Sequence, residues 1–195
     1  MSKAVMISIQ PKWCELIASG KKTIEVRKTA PKIATPFKCY IYQTKKKWIY
    51  KLLEKLGLYQ GKVIGEFVCD NIEVVNTQCS DSGIDLFYHD CEKYGCLSQV
   101  EAEKYFGVYN EERTKDLRAM KGNGYAWHIS NLVIYDKPKE LGEFKKPCPN
   151  GCCDDGNDYA CYVGAFPCKY RDEKRHSCKA YLTRPPQSGC YVEEV

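Results

Sequence analysis

Short strand-like runs bounded by Gly and Pro make up most of the regular pattern in this chain. Apolar and β-branched residues recur at strand spacing over residues 4–9, 23–27, 37–43, 61–75 and 125–135. This spacing is typical of strands with one buried face. Gly65, inside the longest run, indicates a bulge where a barrel strand bends. Short strands with few helices between them predict a small mixed β-barrel flanked by short helices, which is an α+β fold.

Helical patterns fall between these strands. Pro11 suits the first position of a helix that Gly20 ends. Ser98 and Glu101 have the spacing of a capping box at the start of a helix that reaches about residue 106. Further helices are predicted over residues 48–56 and near 111–120. The sequence has no G-x-G-x-x-G or Walker loop, so a dinucleotide-binding or P-loop fold is not expected.

Charge and hydropathy narrow the partners that the chain can have. The net charge is +5, but residues 1–50 carry eleven Lys and Arg against Glu15 and Glu25, a local net charge of +9. Such a segment attracts anions if its basic side chains share a face, and otherwise is a solvated surface. No apolar run is long enough to span a membrane or to form a signal peptide, so we expect a cytoplasmic protein.

The segment 20–27, Gly-Lys-Lys-Thr-Ile-Glu-Val-Arg, places three functional side chains on and beside one strand. Glu25 and Arg27 share a strand face because side chains alternate, and Lys22 lies at its edge. A guanidinium offers a planar fork to phosphate or to a base edge. The carboxylate can orient it, accept from an exocyclic amine, or act as an acid or base. The alternative is a surface Glu–Arg pair without a ligand.

Together with 8–13, Ser-Ile-Gln-Pro-Lys-Trp, this segment resembles the signature of the ASCH (activating signal cointegrator homology) family. The family pattern G-x-K-x-x-E-x-R is filled by Gly20, Lys22, Glu25 and Arg27, and residues 125–129 resemble its closing strand. The resemblance covers about 3–140 and implies a PUA-like fold. It also implies a cleft for RNA or a nucleotide, with Gln10, Lys22, Glu25 and Arg27 as the binding residues.

Some bacterial proteins similar to this family are amidohydrolases that deacetylate acetylcytidine, with the pattern G-x-K-x-x-T-x-R. Lys22 matches their catalytic Lys, but Glu25 occupies the position of their Thr nucleophile. Thr23 lies on the same strand face, roughly 6–7 Å away along the strand. If the protein is a hydrolase, we expect its chemistry to use Lys22, which the resemblance assigns, together with either Thr23 or Glu25. Because the nucleophile is replaced, we expect binding rather than hydrolysis.

Other aromatic and titratable residues have structural interpretations. Trp13 shares a helix face with apolar residues, which favours the core over a platform for a base. Tyr40 and Tyr42 lie on one strand face and are expected to pack inside the barrel, although they could also stack bases. His128 lies in the closing strand, where a structural histidine is expected rather than a catalytic one.

The C-terminal quarter of the chain is rich in Cys. Seven of the thirteen Cys lie between residues 145 and 190, in a segment poor in aliphatic residues. Without a secretion signal, clustered thiols favour a metal over disulfides. We expect a four-thiolate zinc site at Cys148, Cys152, Cys168 and Cys178, with Cys153 and Cys161 as alternates. The alternative is a set of free thiols.

These patterns predict one domain with a decoration. Residues 1–144 form the ASCH, PUA-like domain, residues 145–183 form a Cys-rich insert, and residues 184–195 form a tail that packs on the domain. The tail resembles the end of phage-encoded ASCH proteins. The insert also allows a third function, a zinc-stabilised domain for protein interaction. RNA or a nucleotide is the expected partner.

Overall fold

The computed structural model describes residues 3–45, 61–76, 91–106, 123–147, 171–172, 177–178 and 181–194. The helices predicted over 48–56 and near 111–120 lie outside the described residues. The chain divides into two compact units, which we describe separately. The first unit comprises Met1–Pro11, Lys38–Glu66 and Val133–Val195, and the second comprises Lys12–Phe37 and Phe67–Leu132.

Ten strands, two α-helices and one 3-10 helix are present in the described part of the chain. In chain order they are β1 (Lys3–Ile9), α1 (Pro11–Ala18), β2 (Ile24–Arg27), β3 (Phe37–Gln43), β4 (Val63–Cys69), β5 (Ile72–Asn76), α2 (Gln99–Phe106), β6 (Asn123–His128), β7 (Ser130–Lys139), the 3-10 helix (Leu141–Glu143), β8 (Arg171–Asp172), β9 (Ser177–Cys178) and β10 (Gly189–Glu193). No described helix has the length and apolar character that a membrane crossing requires.

The first unit holds most of a five-stranded sheet with the order β10-β1-β3-β4-β7. β1 runs parallel to β3 and antiparallel to β10, so Ala4 lies opposite Val192. The core beside this sheet is formed by apolar and aromatic side chains, namely Ala4, Met6, Tyr40, Tyr42, Val63, Phe144, Leu182 and Val192. The prediction that Tyr40 and Tyr42 pack in the interior is confirmed, since they are 0% and 3% exposed.

Gly65 allows β4 and β7 to approach each other closely. An added Cβ at this position would lie 2.4 Å from the carbonyl oxygen of Val133. A backbone atom cannot move away as a flexible side chain does, so a residue with a Cβ would separate the strands. The glycine therefore serves close strand packing in β4.

The second unit contains a three-stranded antiparallel sheet with the order β2-β6-β5. Val26 of β2 and Cys91 form its small core, against which Ile24, Leu97 and Phe106 pack. The capping box predicted for α2 is confirmed: the Ser98 N–H donates to Glu101 Oε2 at 3.1 Å, and the Glu101 N–H donates to Ser98 Oγ at 3.3 Å. α1 starts at Pro11 and is followed by Gly20 with φ +71°, as its sequence predicts.

The prediction of an α+β fold with short helices is confirmed. The described strands form open sheets of five, three and two strands rather than a closed barrel. Residues 61–75 explain part of this difference between the predicted barrel and the observed sheets. The strand is interrupted at Asp70 and Asn71, and the resulting strands β4 and β5 belong to different sheets. A Cys-rich insert as a separate element lies largely outside the described residues and stays a prediction.

Candidate functional site

Three charged side chains of the second unit are buried side by side. Lys22 is 2% exposed, and Glu25 and Arg27 are each 8% exposed. Glu25 joins the other two, because its Oε2 lies 3.6 Å from Lys22 Nζ and its Oε1 lies 3.4 Å from Arg27 Nε. We call Lys22, Glu25 and Arg27 the charge row. It comprises three of the four binding residues expected from the sequence.

Backbone contacts fix the Lys22 end of the charge row. The Lys22 N–H donates to Leu16 O at 3.0 Å, which holds the segment after α1 against the helix. Lys22 Nζ donates to Gly95 O at 2.5 Å. Gly95 is required at this place, because an added Cβ would lie 2.7 Å from Cys91 O. The ammonium is thus held by a carbonyl and a carboxylate and does not extend freely into solvent.

Tyr105 of α2 contacts the Arg27 end of the charge row. Its hydroxyl oxygen accepts a hydrogen bond from the Arg27 guanidinium. Burial raises the pKa of Tyr105, and the positive charge of Arg27 opposes that rise. Tyr105 therefore stays a neutral phenol at physiological pH and helps to orient the guanidinium. The residue as a whole remains 36% exposed.

Trp127 lies on the same sheet face as Glu25. The antiparallel register of β2 and β6 places Glu25 opposite Trp127 and Arg27 opposite Tyr125, and directly opposed residues point to the same side of a sheet. Trp127 is 4% exposed, and its Nε1 makes no hydrogen bond in the described structure. Strand alternation alone does not predict this role for Trp127, because its place opposite Glu25 depends on the register between β2 and β6.

Trp13 is partly exposed rather than packed in the core as its helix position suggested. Its ring lies 4.3 Å from Lys12 Nζ and 5.2 Å from Lys22 Nζ. A ring with two ammonium groups near it carries a cation–π contact at the edge of the charge row. The Trp13 indole thus contacts both the buried Lys22 ammonium and the exposed Lys12 ammonium of α1.

The remaining predicted residues have fewer contacts. Gln10 follows β1 in the first unit and is exposed, and its part in a binding cleft stays a prediction. Thr23 is held through its backbone, whose N–H donates to Tyr94 O at 2.9 Å. In the described part of the chain its hydroxyl makes no hydrogen bond to Lys22 or Glu25. The hydrolase assignment of Lys22, Thr23 and Glu25 stays a prediction.

The zinc ligands cannot be compared with the structure as a set. Cys148, Cys152 and Cys168 lie outside the described residues, as do the alternates Cys153 and Cys161. Cys178 belongs to the two-residue strand β9, which pairs with β8. Within the described ranges no group of three or more His, Cys, Asp or Glu side chains is arranged to hold a metal. The zinc site therefore stays a prediction.

His128 pairs with Asp70 at the surface of the second unit. His128 Nδ1 lies 2.7 Å from Asp70 Oδ1, and the two side chains are 50% and 45% exposed. The hydrogen bond from the imidazole is the main cause that holds the pKa of Asp70 below its usual range. The pair belongs to the end of β6 and is separate in its contacts from the charge row.

We expect His128→Ala to raise the pKa of Asp70 toward that of an ordinary carboxyl group, because the substitution removes the main cause of the lowered pKa. A lowered native pKa contributes stability above that ordinary value, and the contribution is lost as the pH falls through the lower native pKa. NMR titration of the side-chain carboxyl carbon measures the shift. Glu101 is the control, because its pKa is lowered by Lys12 and should not change. An Asp70 pKa unchanged by the substitution would contradict the pairing.

Comparisons with known proteins identify the class. The ASCH domain family matches residues 7–138, so the fold is PUA-like and of mixed α+β class. The chain belongs to the ASCH domain family. The crystal structure of an ASCH protein from Zymomonas mobilis matches at 18% identity with a TM-score of 0.53, covering 98% of this chain and 88% of that one. That likeness concerns the fold.

Two variants of the Zymomonas mobilis protein match at 16% identity with TM-scores of 0.47. One has a serine replaced by alanine and covers 98% of this chain and 89% of that chain. The other has a tyrosine replaced by phenylalanine and covers 99% of this chain and 92% of that chain. No curated protein matches the sequence at a significant level.

Proposed function

We propose that the protein binds RNA or a nucleotide through the charge row. The observation that carries this proposal is the burial of two cations, Lys22 and Arg27, around one carboxylate, Glu25. The row has a net charge of +1 in a setting where water screens charge poorly. A phosphate that binds to the row would supply hydrogen-bond acceptors in place of the water that Lys22 and Arg27 lose on burial.

The cost of burying these charges supports a functional interpretation. Removing charges from water costs several kcal/mol per ion, and well-packed apolar residues at the same positions often give equal or greater stability. β2 is otherwise a short strand with apolar Ile24 and Val26 on its other face. A chain that needed only stability would fill positions 25 and 27 with apolar residues. The presence of charged side chains at these buried positions therefore favours a role in ligand binding.

The chemistry of the row fits a nucleotide in two ways. The Arg27 guanidinium is a planar donor suited to two phosphate oxygens or to the acceptors of a base edge. Glu25 is an acceptor suited to an exocyclic amine or to a ribose hydroxyl. The indole N–H of Trp127, buried on the same face as Glu25, adds a donor for a base carbonyl. Donor and acceptor groups in one buried patch recognise a base more specifically than a lysine-rich surface does.

We expect Arg27→Lys and Lys22→Met to weaken RNA binding by about tenfold or more each, since charge-assisted hydrogen bonds contribute roughly 1.5–3 kcal/mol. Arg27→Lys keeps the charge but removes the planar fork, whereas Lys22→Met keeps the length but removes the charge. Fluorescence anisotropy with a labelled RNA oligonucleotide, repeated over a range of salt concentrations, measures the loss. Lys22→Met should also lower the salt dependence if Lys22 contacts a phosphate.

The control is Lys38→Met in the first unit. Lys38 is a partly buried cation whose Nζ lies 3.2 Å from Glu66 Oε1. Lys38→Met, like Lys22→Met, therefore removes a lysine that is paired with a carboxylate. Thermal unfolding of each variant separates loss of binding from loss of folding. Folded Lys22→Met and Arg27→Lys proteins that bind as the wild type does would contradict the proposal. Acetate release from acetylcytidine by the wild type would instead favour the hydrolase alternative.

A further inference from the structure

We infer that the charge row serves a single strand of RNA, with successive bases stacking on Trp13 at one end of the row and on Tyr105 at the other. This inference rests on the proposed function, because the row holds the phosphate or base edge between the stacked bases. It adds two aromatic platforms that the proposed function does not require. It also selects an unpaired strand over a lone nucleotide or a duplex.

Trp13 forms the platform at the Lys22 end. Its ring is partly exposed and lies within cation–π distance of Lys12 and Lys22. Lys22 is buried and fixed, whereas the side chain of Lys12 is 57% exposed and has a long flexible stem. A base can therefore stack on the indole once the Lys12 ammonium leaves the ring face, and the ammonium can stay paired with Glu101 beside the adjoining phosphate. Stacking on an aromatic ring beside a cation is how unpaired bases are held without sequence preference.

Tyr105 forms the platform at the Arg27 end. Its hydroxyl accepts a hydrogen bond from Arg27, which fixes the ring, and the residue is 36% exposed. Lys28 Nζ lies 5.2 Å from the ring centroid, and the Lys28 side chain is exposed. This end thus repeats the arrangement at Trp13, with a partly exposed ring, one fixed buried cation and one exposed Lys.

Two chains of contacts place both platforms on one patch of the second unit. The first is the charge row itself, which runs from Lys22 beside Trp13 to Arg27 beside Tyr105. The second is the 3.0 Å ion pair between Lys12 and Glu101 of α2. Glu101 lies four residues before Tyr105 and so shares its helix face. Because contacts join the platforms on two sides, they border the same patch.

Glu101 is an acidic group at this patch, and its charge is offset. It pairs with Lys12, and its carboxylate accepts from the Ser98 N–H at the positive end of α2. These contacts lower the pKa of Glu101 and satisfy the carboxylate within the protein. The exposed cations Lys12 and Lys28 then stand beside the two rings, where the phosphates of a stacked strand would pass.

An unpaired strand fits this arrangement better than a duplex does. In a duplex the base faces are covered by their neighbours and are not accessible to side chains, whereas unpaired bases expose their faces. Two platforms separated by a charged row also require more than one nucleotide. A lone nucleotide would use the row and at most one ring.

The wild-type protein tests this without any substitution. Unlabelled oligouridylates from about one to about eight nucleotides, a span that covers typical single-strand site sizes, compete with a labelled RNA in an anisotropy assay at fixed salt. We expect affinity to rise by about tenfold with each stacked base and to level off once both rings are occupied. A duplex of equal length should bind at least about tenfold more weakly. Equal affinity for uridine monophosphate and the longest strand, or for duplex and single strand, would overturn the inference.

Variants locate the two platforms. Trp13→Ala and Tyr105→Ala should each weaken binding of the longer strand by about tenfold, the loss of one stacked base. Tyr105→Phe keeps the ring and should retain most of the affinity, which separates stacking from the hydrogen bond to Arg27. The matched control is Tyr181→Ala, which removes an exposed ring beside Lys145 in the first unit. A loss as large in Tyr181→Ala as in Tyr105→Ala would overturn the assignment.

The results distinguish this inference from the proposed function. If uridine monophosphate binds and Arg27→Lys abolishes that binding, but strand length has no effect, the charge row binds a nucleotide and the platforms are wrong. If neither the mononucleotide nor any strand binds, the proposed function itself fails. If Trp13→Ala does not fold, the length series in the wild type and the Tyr105 variants still decide the matter.

Discussion

Replacing Glu25 by Ala should lower the free energy of unfolding by about 3–5 kcal/mol, the usual cost of leaving a buried charge without its partner. Lys22 and Arg27 are 2% and 8% exposed and both face this carboxylate. Without it, two cations remain buried at close range and repel each other. Neither can turn to water easily, because Lys22 is tied to Gly95 O and Arg27 to Tyr105. Chemical denaturation followed by circular dichroism measures the loss.

Two comparisons make this expectation specific to the charge row. Lys12→Ala breaks the exposed pair with Glu101 and should cost less than about 1 kcal/mol. Lys22→Met combined with Glu25→Ala should cost clearly less than the sum of the single changes, because the double variant removes one of the unpaired cations. If Glu25→Ala is no more destabilising than Lys12→Ala, water reaches the row and the row is not a buried site.

The sequence alone placed the members of the charge row on one strand and its edge, because strand alternation is a local property. It did not predict that the row is buried. Lys22 is covered and bound by Gly95, which lies 73 residues away along the chain, and Arg27 is bound by Tyr105 of α2. No periodicity within residues 20–27 reports on partners so distant. The same limit hid Trp127, whose place opposite Glu25 depends on the register of β2 and β6.

The open sheets have a similar explanation. Alternation predicts that residues 61–75 are extended, and they are, but it does not say which strands they pair with. β4 joins the five-stranded sheet and β5 joins the three-stranded one, and the change occurs at Asp70 and Asn71. Asn71 O accepts from the His128 N–H at 3.0 Å, a contact between distant parts of the sequence. Strand partners are set by such non-local contacts, which a single sequence does not reveal.

Phe144 shows that the core of the first unit extends beyond residue 138, where the match to the ASCH family ends. Its side chain is 0% exposed and its ring packs against Tyr40 of β3 with centroids 4.9 Å apart. The Leu182 N–H donates to Phe144 O at 2.9 Å, which brings a second buried residue to the same core. Val192 of β10 completes this set from the last strand. The residues after the family match thus belong to the hydrophobic core.

We therefore expect Phe144→Ala to lower the free energy of unfolding by about 3–5 kcal/mol, the usual cost of truncating a fully buried Phe. Phe144→Leu should cost clearly less, because it keeps most of the apolar volume. Tyr181→Ala is the matched control, because Tyr181 is 40% exposed, and it should cost less than about 1 kcal/mol. Chemical denaturation of the full chain measures all three. If Phe144→Ala were as stable as Tyr181→Ala, the core of the first unit would not depend on residues beyond 138. A chain that ended at residue 138 would then be expected to fold. The contacts of Phe144, Leu182 and Val192 indicate the opposite. Such a chain would leave β1 without β10, and its core would lack three buried side chains.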